Sequence, residues 1–133
     1  MTMRYFGAVI LLTIGLALPV SDVDAQVKTR LRFPAGASST AVRGTIKGFA
    51  YRDYIVRANA DQNLNVVVDS RTTQTVFSIF RPGGENLEGA VQTADFSGAL
   101  PVTGDYVIRV GMMRAAARRP RSVSNFTLKI SID

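Results

Sequence analysis

Beyond residue 25, apolar and polar residues alternate with period two along most of the chain, and no stretch there holds an apolar stripe at helical spacing. Val27, Thr29, Leu31 and Phe33 point one way and Lys28, Arg30 and Arg32 the other, until Pro34-Ala35-Gly36 stops the run. Val42, Gly44, Ile46 and Gly48 repeat the pattern against Arg43, Thr45 and Lys47. A third strand is expected over Tyr54 to Ala58, and a turn at Ala60-Asp61-Gln62-Asn63 leads into Leu64, Val66 and Val68, with the third and fourth strands pairing as a hairpin. Thr75 to Phe80 forms a β-branched and aromatic run ended by Pro82-Gly83-Gly84. Residues 85 to 90 read as an irregular loop, followed by a short strand near Val91 to Phe96. After a turn over residues 100 to 104, Tyr106, Ile108 and Val110 alternate inward, and Phe126, Leu128, Ile130 and Ile132 do the same in a terminal strand. About eight short strands at this spacing predict an all-β fold, a single antiparallel β-sandwich.

The first 25 residues have a different texture. Arg4 is followed by an apolar run from Phe6 to Val20, too short and wrongly flanked to span a bilayer, and Val23-Asp24-Ala25 supplies the small-residue pattern of a cleavage site. Residues 1–25 are therefore expected to be a cleaved secretory signal peptide and residues 26–133 a single exported domain with no membrane anchor. Cleavage would remove Arg4, Asp22 and Asp24, so that fifteen basic residues face eight acidic ones and the net charge rises from +6 to +7. Such a balance favours anionic partners or surfaces. With no cysteine in the chain, the exported domain must stand on packing alone.

The absence of both His and Cys removes the common nucleophile–base arrangements, imidazole and thiolate metal sites, and the usual general base at neutral pH. A glycosidase would need two acids across one cleft, whereas acids such as Asp61, Asp69 and Asp105 fall in turns or at strand ends. The glycines lack phosphate-loop spacing. These observations imply a binding protein, not an enzyme, with no catalytic residues, no metal and no cofactor. Asn125-Phe126-Thr127 matches a glycosylation acceptor, but its plainer reading is a strand with Phe126 facing inward.

The segment Gly111 to Ser124 breaks the alternation. It carries Arg114, Arg118, Arg119 and Arg121 with no acidic residue between them. Ala115-Ala116-Ala117 suits one helical turn, but Pro120 limits its extension, so the segment reads as a long protruding loop joining two strands. Charged loops are commonly just solvated. The exclusive use of Arg, whose planar fork bonds carboxylates and phosphates bidentately, favours recognition.

Three segments together resemble a known family, the periplasmic inhibitors of goose-type (g-type) lysozyme from Gram-negative bacteria: Gly44-Thr45-Ile46-Lys47-Gly48-Phe49-Ala50-Tyr51 followed by Tyr54, then Leu100-Pro101-Val102-Thr103-Gly104-Asp105-Tyr106 with Arg109-Val110, then Arg114 followed by Ala117-Arg118. The resemblance implies a periplasmic β-sandwich that binds goose-type lysozyme as a protein partner, blocking its substrate cleft with the Phe49 loop and the arginine-bearing loop 111–124. By position it carries over Phe49, Arg114 and Arg118 as lysozyme-binding residues, with Tyr51, Arg119 and Arg121 at the periphery and Arg109 structural or peripheral. The family has Tyr where this chain has Phe49, which leaves ring packing without a hydroxyl, and tends to have Gly where this chain has Asp61. No nucleic-acid partner is expected. The competing readings are a secreted β-sandwich module holding an envelope polyanion or carbohydrate on the same arginines, and a non-enzymatic envelope structural domain.

Overall fold

In a computed structural model, which describes residues 26–71 and 74–133, the terminal strand β8 (Val123–Ile132) buries Ser124, Phe126, Leu128 and Ile130 and turns Asn125 and Lys129 to solvent. The same alternation sets the inner faces of β2 (Ser39–Lys47), β4 (Asn63–Ser70), β5 (Thr75–Phe80) and β7 (Gly104–Met112). With β1 (Gln26–Arg30), β3 (Tyr51–Ala58) and β6 (Asp95–Ala99), these strands form two four-stranded sheets, ordered β1-β3-β7-β5 and β2-β8-β4-β6. The all-β sandwich read from the pattern is thus borne out, with one short helix, α1 (Arg114–Ala117), between β7 and β8. Residues 1–25, read as a signal peptide, lie outside the described residues.

One core joins the inner faces. Leu64, Val66, Leu128 and Ile130 of the second sheet meet Val56, Ile79, Tyr106 and Ile108 of the first, all nearly inaccessible to water. The Tyr106 hydroxyl donates to the carbonyl of Val102 and accepts from its N–H, so a buried phenol closes the turn before β7. At the other end of the sandwich, the Ser124 hydroxyl lies 2.6 Å from that of Thr75 and 3.0 Å from that of Ser70, a polar tie between the sheets.

Four expectations are corrected. Strands β3 and β4 do not pair as a hairpin; they lie in opposite sheets, and the Asn59–Gln62 connection crosses over the core. Alternation marks which face is apolar, but two strands that bury matching faces can meet across a core as well as side by side. In the crossover Asp61 adopts φ 72°, the left-handed region that a glycine takes most readily, and its N–H donates to the Leu100 carbonyl at 2.8 Å. Strand β1 runs parallel to β3, so the sandwich is not wholly antiparallel. Strand β3 starts at Tyr51, three residues early, because Tyr51 and Asp53 belong to its outer face. Finally, the strand expected at Val91 to Phe96 forms at Asp95–Ala99, while residues 86 to 93 run along the open edge of β5 through bridges at Asn86–Phe80 and Thr93–Phe77. That layer satisfies an edge that would otherwise be free to pair.

Candidate functional site

The two segments singled out in the sequence meet at one end of the sandwich. The β2–β3 turn is tied to the β7–β8 connection by the Gly48 N–H, which donates to the Ser122 carbonyl at 3.0 Å, and the Ser122 hydroxyl in turn donates to the Ala117 carbonyl at 3.1 Å. Gly48 sits at φ 56°, so the tight approach uses a conformation that a side chain would resist. The turn closes with the Ala50 N–H on the Lys47 carbonyl and leaves the Phe49 ring 66% exposed at its tip.

The arginine segment is not a long protruding loop. Strand β7 extends to Met112, and Arg114–Ala117 form one helical turn whose Ala116 and Ala117 are buried against the sandwich. Alanine has the best helix propensity and fits where a larger side chain would not, and the turn ends before Pro120. The Met113 N–H donates to the Gln74 carbonyl, and the Met113 carbonyl accepts from Ala116 and Ala117, so the turn is fastened at its N-terminal end. Arg114 and Arg118 are linked by the Arg118 N–H donating to the Arg114 carbonyl at 3.0 Å. Spaced four apart, they project from neighbouring positions on one side of the turn. Arg119 and Arg121 follow, the latter at φ 59°. All four side chains are exposed, and none takes part in an ion pair among the described residues.

Tyr51 and Arg109 occupy the floor beside Phe49. The Arg109 guanidinium lies 4.1 Å from the centre of the Tyr51 ring and 5.1 Å from that of Phe80. It makes two hydrogen bonds to Asp53, a carboxylate only 1% exposed. That hydrogen bond, more than simple proximity of charge, pushes the Arg109 pKa up, so the cation is permanent. Arg109 thus braces the buried Asp53, and Tyr51 is packed on it. Together with Phe49, Val76, Gln92 and Met112 they line a shallow groove of about 180 Å³. Val76, Gln92 and Met112 escaped sequence reasoning because no motif marks them; the pairing of β5 with β7, Thr75 opposite Met112, sets Val76 and Met112 beside the turn, and the Gln92 N–H donating to the Ser78 hydroxyl brings Gln92 there.

Asn125 faces outward and accepts a hydrogen bond from the Thr45 hydroxyl at 2.7 Å, while Phe126 is buried, which agrees with the strand reading of that motif. Among the described residues no group of His, Cys, Asp and Glu is placed to hold a metal, and no helix is long and apolar enough to cross a membrane.

No protein-family model and no curated protein sequence matches the chain. Solved structures do. The chain is similar to PliG of Aeromonas hydrophila, a periplasmic lysozyme inhibitor of g-type lysozyme, with 29% identity and a TM-score of 0.72 over 84% of this chain and 100% of that one. PliG of Salmonella Typhimurium, also a periplasmic inhibitor of g-type lysozyme, aligns at 23% identity and TM-score 0.67 over 80% of this chain and 98% of its own. A mutant of the Escherichia coli protein aligns at 24% and 0.67 over 82% and 100%. At their lower identity the last two speak for the fold alone. The resemblance found in the sequence is thus borne out: the chain is similar to solved structures of periplasmic inhibitors of g-type lysozyme.

Proposed function

We propose that this protein inhibits g-type lysozyme in the periplasm, acting by binding and not by catalysis, with Phe49, Arg114 and Arg118 inserted into or against the muramidase cleft. The observation that carries the proposal is the convergence of an exposed aromatic turn and an unpaired arginine turn, joined through Gly48 and Ser122, in a chain similar in fold to such inhibitors.

The physical chemistry is consistent. A muramidase cleft is lined by the carboxylates that perform its acid–base work. A guanidinium presents a planar fork matched to a carboxylate, and the contact strengthens when neighbouring apolar surface keeps water away. Phe49 supplies such surface. Because the arginines hold no ion pair among the described residues, binding breaks none there, and because α1 is anchored through Ala116 and Ala117, the backbone loses little freedom on docking. Arg119 and Arg121 would serve at the rim, with Tyr51 supporting Phe49 from below. Periplasmic action requires export, which the reading of residues 1–25 as a cleaved signal supplies.

The test mixes the purified protein with a goose-type and a chicken-type lysozyme and follows lysis of peptidoglycan. Inhibition of the goose-type enzyme alone supports the proposal, and undiminished lysis by it refutes the proposal.

A further inference from the structure

The groove beside Phe49 has a dent at its centre. On the outer face of the first sheet, Gly111 of β7 stands between Val76 of β5, its ladder partner, and Tyr51 of β3, and both flanking side chains are half-buried. Beyond Val76, Gln92 forms the far wall; its N–H donates to the Ser78 hydroxyl at 2.9 Å, and its backbone takes φ 49°, a left-handed conformation uncommon for a residue with a side chain. Phe49 closes the near wall.

The fold itself does not require glycine at position 111. Its backbone is not left-handed, and a Cβ there would meet, beyond its chain neighbours, one atom within 4 Å: Cβ of Tyr51, at an ordinary 3.7 Å. No atom of the Tyr51 ring comes that close; the ring lies instead with its centre 4.1 Å from the Arg109 guanidinium. The glycine is thus not sheltered by an aromatic neighbour, as strand glycines can be. Glycine within a strand weakens it, and it often marks a place that a ligand or another chain approaches closely.

The groove encloses about 180 Å³, on the scale of the cavity of roughly 150 Å³ that holds one benzene ring. Among its lining residues only Arg109 is charged, and that charge is already matched by Asp53. An occupant therefore gains nothing from a charge of its own and gains most from apolar surface laid against Phe49, Tyr51 and Val76. Because Phe49 is itself a wall, whatever covers Phe49 also covers the dent.

We propose that the dent over Gly111 receives an apolar side chain of g-type lysozyme, so that the inhibitor accepts one anchor from its partner beside the Phe49 that it presents. This rests on the reading that the Phe49 end faces lysozyme, and it adds a specificity-determining position at which bare backbone is needed. A partner side chain seated in a pocket next to an aromatic anchor is the arrangement found at the energetic centre of interfaces.

Gly111→Ala and Gly111→Val fill the dent stepwise. Both should melt at or above the temperature of the parent, since a strand prefers a side chain, and a β-branched one most, to glycine. Both should nevertheless weaken inhibition of g-type lysozyme, alanine by about tenfold and valine by more, as one extra methylene-sized group in an apolar pocket is worth about 10- to 200-fold. Val76→Thr keeps the shape of the wall but adds a hydroxyl, and should weaken inhibition as well. Arg43→Gln, on β2 of the other sheet, should leave it unchanged. If the parent does not inhibit, this inference falls together with the reading beneath it. If the parent inhibits and both Gly111 variants inhibit equally well, the dent is empty in the complex and this assignment alone falls. Undiminished inhibition by Val76→Thr, or a loss in Arg43→Gln as large as in Gly111→Val, would also overturn it. Should Gly111→Val melt below the parent, Gly111→Ala and Val76→Thr decide the matter.

Discussion

Arg109 of β7 and Asp53 of β3 stand directly opposite each other in the first sheet and are joined by two hydrogen bonds, Nε to Oδ1 at 2.8 Å and Nη2 to Oδ2 at 3.0 Å. Both belong to the outer face, yet the carboxylate is 1% exposed while the arginine side chain keeps 39% of its surface. Removing the two partners should accordingly have unequal effects. Arg109→Ala strands a buried charge and should cost about 3 to 5 kcal/mol. Asp53→Ala leaves a cation that can still reach water and should cost about 1 to 2 kcal/mol once screening is allowed for. Denaturant unfolding of both variants checks this, and equal losses would contradict the asymmetry.

Ile130 is 2% exposed on β8, which lies between β2 and β4 in the second sheet. Ile130→Ala should destabilise the fold by about 2 to 5 kcal/mol, lost transfer energy plus the cavity left behind. An unchanged melting temperature would place the residue outside the core.

Gly44 faces Phe126 across the β2–β8 ladder, and a Cβ there would stand 2.5 Å from Cζ of Phe126 and 2.7 Å from Oη of Tyr54. Those two rings already meet edge to face at 6.3 Å. Gly44→Ala should therefore overpack the core and cost about 1 to 3 kcal/mol. Thermal unfolding with no loss of stability would mean that the rings move aside freely.

Arg114→Ala and Arg118→Ala should each weaken inhibition of g-type lysozyme by about 2 to 5 kcal/mol, mainly through faster dissociation. Their melting temperatures should match the parent, because exposed changes usually stay within about 0.5 kcal/mol. Arg121→Ala should lose little, as befits a rim ion pair worth about 0 to 1 kcal/mol. Lysine at position 114 should restore activity only in part, since an ammonium lacks the fork. Titration of lysozyme activity by the variants decides the matter, and equal inhibition by all of them would remove this site.

Asp105 accepts two hydrogen bonds from Arg30, at 3.2 and 2.8 Å, with Arg57 nearby at 3.6 Å. The hydrogen bond from Arg30 holds the carboxyl below its ordinary range. A depressed folded pKa means stability that is fully present above the unfolded value, about 4, and is lost as the pH falls through the folded value. The parent and Asp105→Asn should therefore converge in stability below that range and differ above it, with the difference shrinking in high salt. Parallel stability profiles from pH 7 down to acid would show that the pair contributes nothing.

Much of this molecule is written locally. Most strand positions, the inward set Phe126, Leu128 and Ile130, the turn before β7 and the break in alternation at the arginines are legible, because the period of two is a property of each strand's own backbone. Phe49, Arg114 and Arg118 were found in the sequence as residue types and by resemblance. That they share one end of the sandwich depends on Gly48 bonding Ser122, a contact between residues 74 positions apart. The pairing of β3 with β7 and β1 instead of β4, and the parallel course of β1, were decided by the tertiary structure. Any strand offers the same backbone hydrogen bonds to any other, so partners are chosen by how two apolar faces close on one core. The same reason hid Asp53. A charged residue within a strand reads as solvent-facing, and whether its charge is buried and matched, as in Asp53, depends on what distant chain is folded against it.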